Sequence, residues 1–321
     1  MRLSFFIKLM AAALLASSAS TSAMAKDVWP QKPVTLVVPY APGGGTDIIA
    51  RLIGAKLSEI WGQNVIVENK SGANGIIGSN DIARSRPDGY KIMLVVGSHI
   101  INPVLTKSMP FNTDEDFTPI TRLAVSPLVL VVPAEGKFKD LDTFLKLAKD
   151  DTTAIGYSEG QTQLTVELIR QATGAKISSI PYRGGSPLMV DIIGGHVASG
   201  VTSVLTSLPH VQSGKLKVIG IADKNRLSVF PDAKTFTEAG FDAVESLSWY
   251  GLFGPKGMPE DVVAQINTSL LTATQDPTIA KQLADQGATV VLDTPAQFQD
   301  YLNKEKQKWT KVAQQGGIEA Q

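Results

Sequence analysis

Twice in its first hundred residues this chain passes from a short apolar run through a glycine-rich loop into a helix-patterned segment. No other feature narrows the fold as far. The first copy runs from Val34–Val38 through Tyr40, Ala41, Pro42, Gly43, Gly44, Gly45, Thr46 and Asp47. Ile48, Ile49, Leu52, Ile53 and Leu57 follow on one helical face. The second copy runs from Val65–Glu68 through Ser71, Gly72, Ala73, Asn74 and Gly75 into a helix expected from Ile76 to Arg84. A strand, a tight loop and a helix start aim several backbone N–H groups at one point, at the positive end of the helix dipole. Consecutive parallel strands set their carboxyl ends side by side, so both loops are expected to converge on one anion. For either loop alone, a tight turn without a ligand is the alternative.

The loop chemistry narrows the anion. The first loop has neither the Gly-Lys-Ser/Thr ending of a phosphate loop nor the G-x-G-x-x-G spacing of a dinucleotide turn. Asp47 is expected to cap the helix start rather than act as a base, and its charge disfavours a highly charged phosphate nearby. Carboxylate or phosphate binding is the reading left. Ser98 and His99 end a third strand, Lys91–Val96, on the same edge. His99 reads as a polar pocket wall, with an acid–base role as the alternative.

The alternation continues. Helices are expected over Leu141–Lys149, Gln161–Thr173, Ser186–Ile193 and Leu208–Ser213, and strands over Thr153–Tyr157, Ser178–Tyr182, Gly200–Val204 and Lys217–Ala222. Three helices close the chain, Pro259–Ala273, Pro277–Gln286 and Pro295–Gln314, around a strand at Thr289–Leu292. Such alternation predicts α/β architecture with parallel strands. Two long apolar segments bounded by proline, Pro119–Pro133 and Ser246–Pro255, read as crossovers between domains. Domain one would then be 26–125 plus 248–321, and domain two 126–247, with a ligand cleft at the hinge between them. A single doubly wound sheet is the alternative. In the middle region, Ser158, Gln161 and Thr162, then Tyr182 and Gly184, then Thr202 and Ser203 stand at strand ends where they can close on a ligand's far side.

Composition excludes several classes. The chain has no cysteine, which removes disulfides, thiolate metal sites and a cysteine nucleophile. Its three histidines, His99, His196 and His210, show no metal-ligand spacing. No metal, cofactor or catalytic residue is expected. Arg2, Lys8, the apolar run Leu9–Ala16 and Ala23-Met24-Ala25 read as an export signal over 1–25, cleaved after Ala25. Removing Arg2 and Lys8 leaves 28 basic against 30 acidic residues, with no basic stripe for nucleic acid.

Spaced motifs along the whole chain resemble one family. They are Trp29-Pro30-x-Lys32-Pro33, the first loop with Ala50-Arg51, Val67-Glu68-Asn69-Lys70-x-Gly72-Ala73 and Pro87-Asp88-Gly89-Tyr90. They continue with Pro181-Tyr182-Arg183-Gly184-Gly185, Gly194-Gly195-His196-Val197 and Glu238-Ala239-Gly240-Phe241. The last are Trp249-Tyr250-Gly251-Leu252 and Gly254-Pro255-Lys256-Gly257-Met258-Pro259. Together they resemble the Bug family, periplasmic substrate-binding proteins of tripartite tricarboxylate transporters. The resemblance implies a periplasmic binding protein fold of type II, two α/β lobes joined by a two-strand hinge with the ligand cleft between them. It implies a small organic carboxylate as ligand: a di- or tricarboxylate, an acidic amino acid or an aromatic acid. The carboxylate would sit on Tyr40 to Asp47 and Gly72 to Gly75, with the second-lobe positions reading its far end. It further implies a membrane permease as partner, a periplasmic location and no enzymatic turnover; a monomer is expected. Lys234 and Tyr40 depart from the family pattern, which favours proline and phenylalanine there. An exported enzyme using His99 or Asp47 as base, and a sensing module for a membrane receptor kinase, are the rival functions.

Overall fold

The computed structural model describes residues 29–320. The expected export signal, residues 1–25, lies outside them.

The first strand–loop–helix unit forms as β1 (Val34–Val38) and α1 (Gly45–Trp61). The second forms as β2 (Val65–Asn69), a 3-10 turn at Ala73–Gly75 and α2 (Ile76–Ala83). Then come β3 (Lys91–Val95) and α3 (Ser98–Leu105). The long apolar segment is a single strand, β4 (Phe117–Pro133). The middle of the chain builds α4 (Leu141–Asp150), β5 (Thr153–Tyr157), α5 (Gly160–Thr173), β6 (Ile177–Pro181) and α6 (Gly185–Ile193). It goes on with β7 (Ser199–Ser203), α7 (Val204–Gln212), β8 (Leu216–Ile221) and the short β9 (Lys234–Thr235). The chain then returns through β10 (Leu247–Pro255), α8 (Glu260–Gln275), α9 (Pro277–Asp285), β11 (Thr289–Val290) and α10 (Pro295–Gln315).

Two sheets share β4. In the first lobe β2, β1 and β3 are parallel, as the alternation predicts, and β10 inserts antiparallel between β3 and β4. In the second lobe β6, β5 and β7 are parallel. β4 changes partner along its length. Phe117 to Pro127 pair with β10, whereas Leu128 to Val131 pair with β7, and Val129 to Pro133 with β8 on the opposite side.

This explains the long apolar run. In the second lobe, Leu128, Leu130 and Val132 face a core with Phe138, Phe144, Ile155, Ile219 and Phe236. Val129 and Val131 point the other way, to Leu188, Met189, Ile192 and Val204. A strand buried on both faces has no polar alternation. The first-lobe core gathers Val37, Met93, Val95, Phe253, Phe298 and Trp309.

The main differences from the sequence reading concern three helices. α3 was not expected: Pro103 lies inside it, and its eight residues carry too short a pattern to show a period. α1 begins at Gly45 rather than Ile48, because glycine and threonine continue the helix ahead of its apolar stripe. α7 begins at Val204 rather than Leu208, since β-branched Val204 reads as the end of β7.

Candidate functional site

The loop after β1 is shaped by its glycines. Gly43 has φ +81°, a left-handed conformation that glycine adopts without strain. Its N–H donates to Asp47 Oδ2 at 2.9 Å. Gly44 is the N-cap of α1, and no side chain caps that end. The Gly45 N–H reaches across to Thr206 Oγ1 at 3.2 Å, so the start of α1 docks on the start of α7.

Tyr40 packs inward at the base of this loop. Its hydroxyl lies 2.6 Å from Ser98 Oγ. Burial drives the phenol upward, so it stays neutral. Opposite it, the Tyr250 hydroxyl is buried without a hydrogen-bond partner among the described residues, with the Ser203 and Ser248 hydroxyls beside it. Burial pushes that phenol up to about 12. A buried polar atom left open is uncommon in a folded protein and marks a place for a ligand or water.

The second lobe supplies three helix starts. Glu159 caps α5, its carboxylate accepting the Gln161 N–H at 2.8 Å and the Thr162 N–H at 3.0 Å. Thr162 Oγ1 returns the bond by accepting the Glu159 and Ser158 N–H groups. Burial pushes the Glu159 carboxyl up to about 7, against these lowering bonds. Ser203 caps α7, accepting the Thr206 N–H at 3.3 Å. α6 starts at Gly184, φ +121°, with no side-chain cap.

These elements enclose a cavity of about 70 Å³, several times the ~10–15 Å³ that one water needs. Tyr40, Gly44, Gly45 and Thr46 line one side; Ser158, Glu159, Thr162, Gly184, Thr202 and Ser203 line the other. Ala41, Val96, Leu128, Gly185, Ser186, Thr206, Ser248 and Tyr250 complete it. The lining contains no lysine, arginine or histidine, and Glu159 is its one carboxylic acid. Such a lining offers an anion backbone N–H groups, hydroxyls and room for bridging water, and no counter-ion.

Residues 49–318 match the tripartite tricarboxylate transporter family receptor. The chain belongs to that receptor family. Solved structures agree over nearly the whole length. The periplasmic binding protein BugD is 28% identical, covering 91% of this chain and 100% of its own, with a TM-score of 0.86. A protein of R. palustris solved with adipate is 30% identical over 91% of this chain and 100% of its own, with a TM-score of 0.88. MatC from Rhodopseudomonas palustris, solved with malate, is 28% identical over 88% of this chain and 99% of its own, with a TM-score of 0.82. The two-lobed binding-protein fold expected from the sequence is therefore the fold of this receptor.

Several expected site residues of the receptor lie outside the cavity lining. Asp47 is buried and tied to its own helix. Burial alone would raise its carboxyl, but hydrogen bonds from Arg51, the Gly43 N–H and Asn69 outweigh that and hold it low. Pro42 and Gly43 shape the loop without reaching the lining. The loop from Gly72 to Gly75 sits behind Tyr40. Ala73 and Asn74 have φ +46° and +52°, and a Cβ on Gly75 would come 3.1 Å from the Tyr40 ring. The Asn74 carbonyl accepts from Asn102 at 2.9 Å. This second loop packs against Tyr40 of the first, and none of its residues lines the cavity.

His99 is 1% exposed, walled by Phe111, Phe117 and Phe253, with Nδ1 3.3 Å from Ser79 Oγ. Burial drives its imidazole down to about 3. Ser98 supports Tyr40 from below. Gln161 turns to the Leu247 carbonyl at 2.7 Å and packs on Gly97. Tyr182 donates to Asp191 at 2.9 Å. Lys234 pairs with Asp142, away from the cavity. Leu128, Ser248 and Tyr250 were missed because they sit within the two long strands, where an apolar run hides which residues face a cleft.

Proposed function

We propose that this receptor captures a small organic carboxylate between its two lobes in the periplasm and delivers it to the permease subunits of a tripartite transporter. The observation that carries this reading is the cavity itself. It has room for a small molecule, two helix starts without side-chain caps at Gly44 and Gly184, and no basic side chain in its lining. Uncapped helix starts favour a carboxylate at short range. The adipate and malate bound to similar proteins are ligands of this chemistry. The far lobe reads the rest of the ligand through the hydroxyls of Ser158, Thr202 and Ser203.

The lobes take residues 26–125 plus 248–321 and 126–247. Support comes from β4, which changes partners between Pro127 and Leu128, and from β10, which starts at Leu247. Twisting at these two strands would open and close the cleft. The receptor acts as a monomer and does not turn its ligand over. The bases that an enzyme would use, Asp47 and His99, lie outside the lining.

The test is a thermal-shift screen of purified protein, stripped of co-purified ligand, against mono-, di- and tricarboxylates, amino acids and aromatic acids. A ligand at 100 times its dissociation constant adds about 2.7 kcal/mol. A shift confined to one carboxylate class, with the ligand recovered unchanged, is the expected result. No shift with any carboxylate, or chemical conversion of the ligand, overturns the reading.

A further inference from the structure

A cavity that holds an anion by neutral donors gains nothing from a second anion, yet Glu159 lines it. Both its carboxylate oxygens are committed to the backbone of α5, through Gln161 and Thr162. The N-terminus of α5 therefore already holds an acidic group, and this helix start does not serve the ligand as the sequence suggested. The titratable groups facing Glu159 are Tyr40, from the loop after β1, and Tyr250, from β10. Burial keeps both phenols neutral. From α3 it meets the Ser98 hydroxyl; His99 beside it is sealed among phenylalanines and uncharged at neutral pH. From α6 and α7 come only backbone and hydroxyl groups, and Arg183 next to Gly184 is exposed and outside the lining. No cation therefore separates Glu159 from a carboxylate seated at Gly44 to Thr46.

Resting on the carboxylate reading of this cavity, we propose that Glu159 takes up a proton when the ligand binds, so that the receptor captures a carboxylate and a proton together. The acid form keeps one oxygen for its own helix and offers an O–H donor, so the same side chain changes from repelling the ligand to facing it as a neutral group. Burial has already brought this carboxyl up to about 7. A like charge in the same cavity raises it further. Above neutral pH, binding must pull a proton from solution, and affinity falls by up to about tenfold per pH unit.

The experiment is calorimetric titration of the purified protein with malate and with adipate, near pH 7.5, in buffers of different ionisation enthalpy. Expected is uptake of about one proton per ligand and an affinity that weakens between about pH 6.5 and 8.5. Glu159→Gln and Glu159→Ser both remove the uptake and flatten the pH dependence. The serine variant keeps a good helix cap, so it separates loss of the proton site from loss of α5. Binding without proton uptake, or uptake unchanged in both variants, overturns this proposal alone. Failure of every small carboxylate to bind overturns the reading of the cavity and this proposal with it.

Discussion

Gly44 and Gly45 are neighbours with different constraints. A Cβ on Gly45 would lie 2.8 Å from Tyr250 Oη and 2.9 Å from Ser203 Oγ, so a side chain there wedges α1 away from α7. A Cβ on Gly44 meets nothing nearer than the Ala41 carbonyl at 3.7 Å, and its φ of −81° suits any residue. Gly44→Val therefore folds, losing about 1 kcal/mol as a poorer cap. The valine projects into the cavity and weakens carboxylate binding at least about tenfold, the loss of a close approach being worth over ~1.4 kcal/mol. Denaturant melts and calorimetry on the same preparation check both halves; unchanged affinity would place the anion elsewhere. Gly45→Ala is expected to leave the lobes parted in the presence of ligand, read as a larger radius of gyration in solution scattering.

His99 gives a second prediction at this scale. Its imidazole titrates near 3 in the folded protein, below the unfolded value near 6.5. The unfolded chain therefore binds the proton first. The stability this site contributes is complete above about pH 6.5 and is lost as pH falls toward 3, by up to ~1.4 kcal/mol per unit. Glu159, with its carboxyl raised, opposes this between about 4.5 and 7. The measurement is therefore the difference between the protein and a His99→Leu variant, melted at several pH values from 7 to 5. A difference that does not change with pH would show that the imidazole titrates alike in the folded and the unfolded chain.

Among the elements, α10 brings Phe298, Leu302, Trp309 and Val312 to the first-lobe core. Thr294 and Gln297 form a capping box at its start. Phe298 is fully buried, its ring 5.0 Å from Phe253 and 5.6 Å from Trp249. Phe298→Ala is expected to cost about 3–5 kcal/mol in denaturant unfolding. A loss below about 1 kcal/mol would mean that the aromatic cluster refills the space. Elements of this kind were legible in the sequence because proline, the cap and the 3.6-residue stripe agree. The parallel strands were legible for the same reason, as apolar runs ended by glycine. α3 was not, because a helix of eight residues interrupted by Pro103 has no period to read. The Gly72–Gly75 loop was legible as a turn but not as a neighbour of Tyr40. That it packs on Tyr40 depends on four successive residues with positive φ, which no local pattern encodes.

For the whole molecule, the sequence reading of the cavity is uneven in both lobes. In the first, the stretch from Tyr40 to Thr46 stands out because a glycine loop ahead of a helix has a chemical signature. Much of the second-lobe wall consists of single hydroxyls, Thr202 and Ser203 on β7 and α7, that look like ordinary caps until the chain is folded. Ser248 and Tyr250 had no signal, since their orientation depends on the register of β10 against β4. That register has a further consequence for the order in which the molecule is made. β10 is an interior strand of the first sheet, between β3 and β4, yet it follows every strand of the second lobe in the chain. A polypeptide emerging amino end first, from a ribosome or across a membrane, thus presents all of β5 to β9 while the first lobe still lacks this interior strand and Trp309. The lobe whose chain begins last is the first that can finish folding.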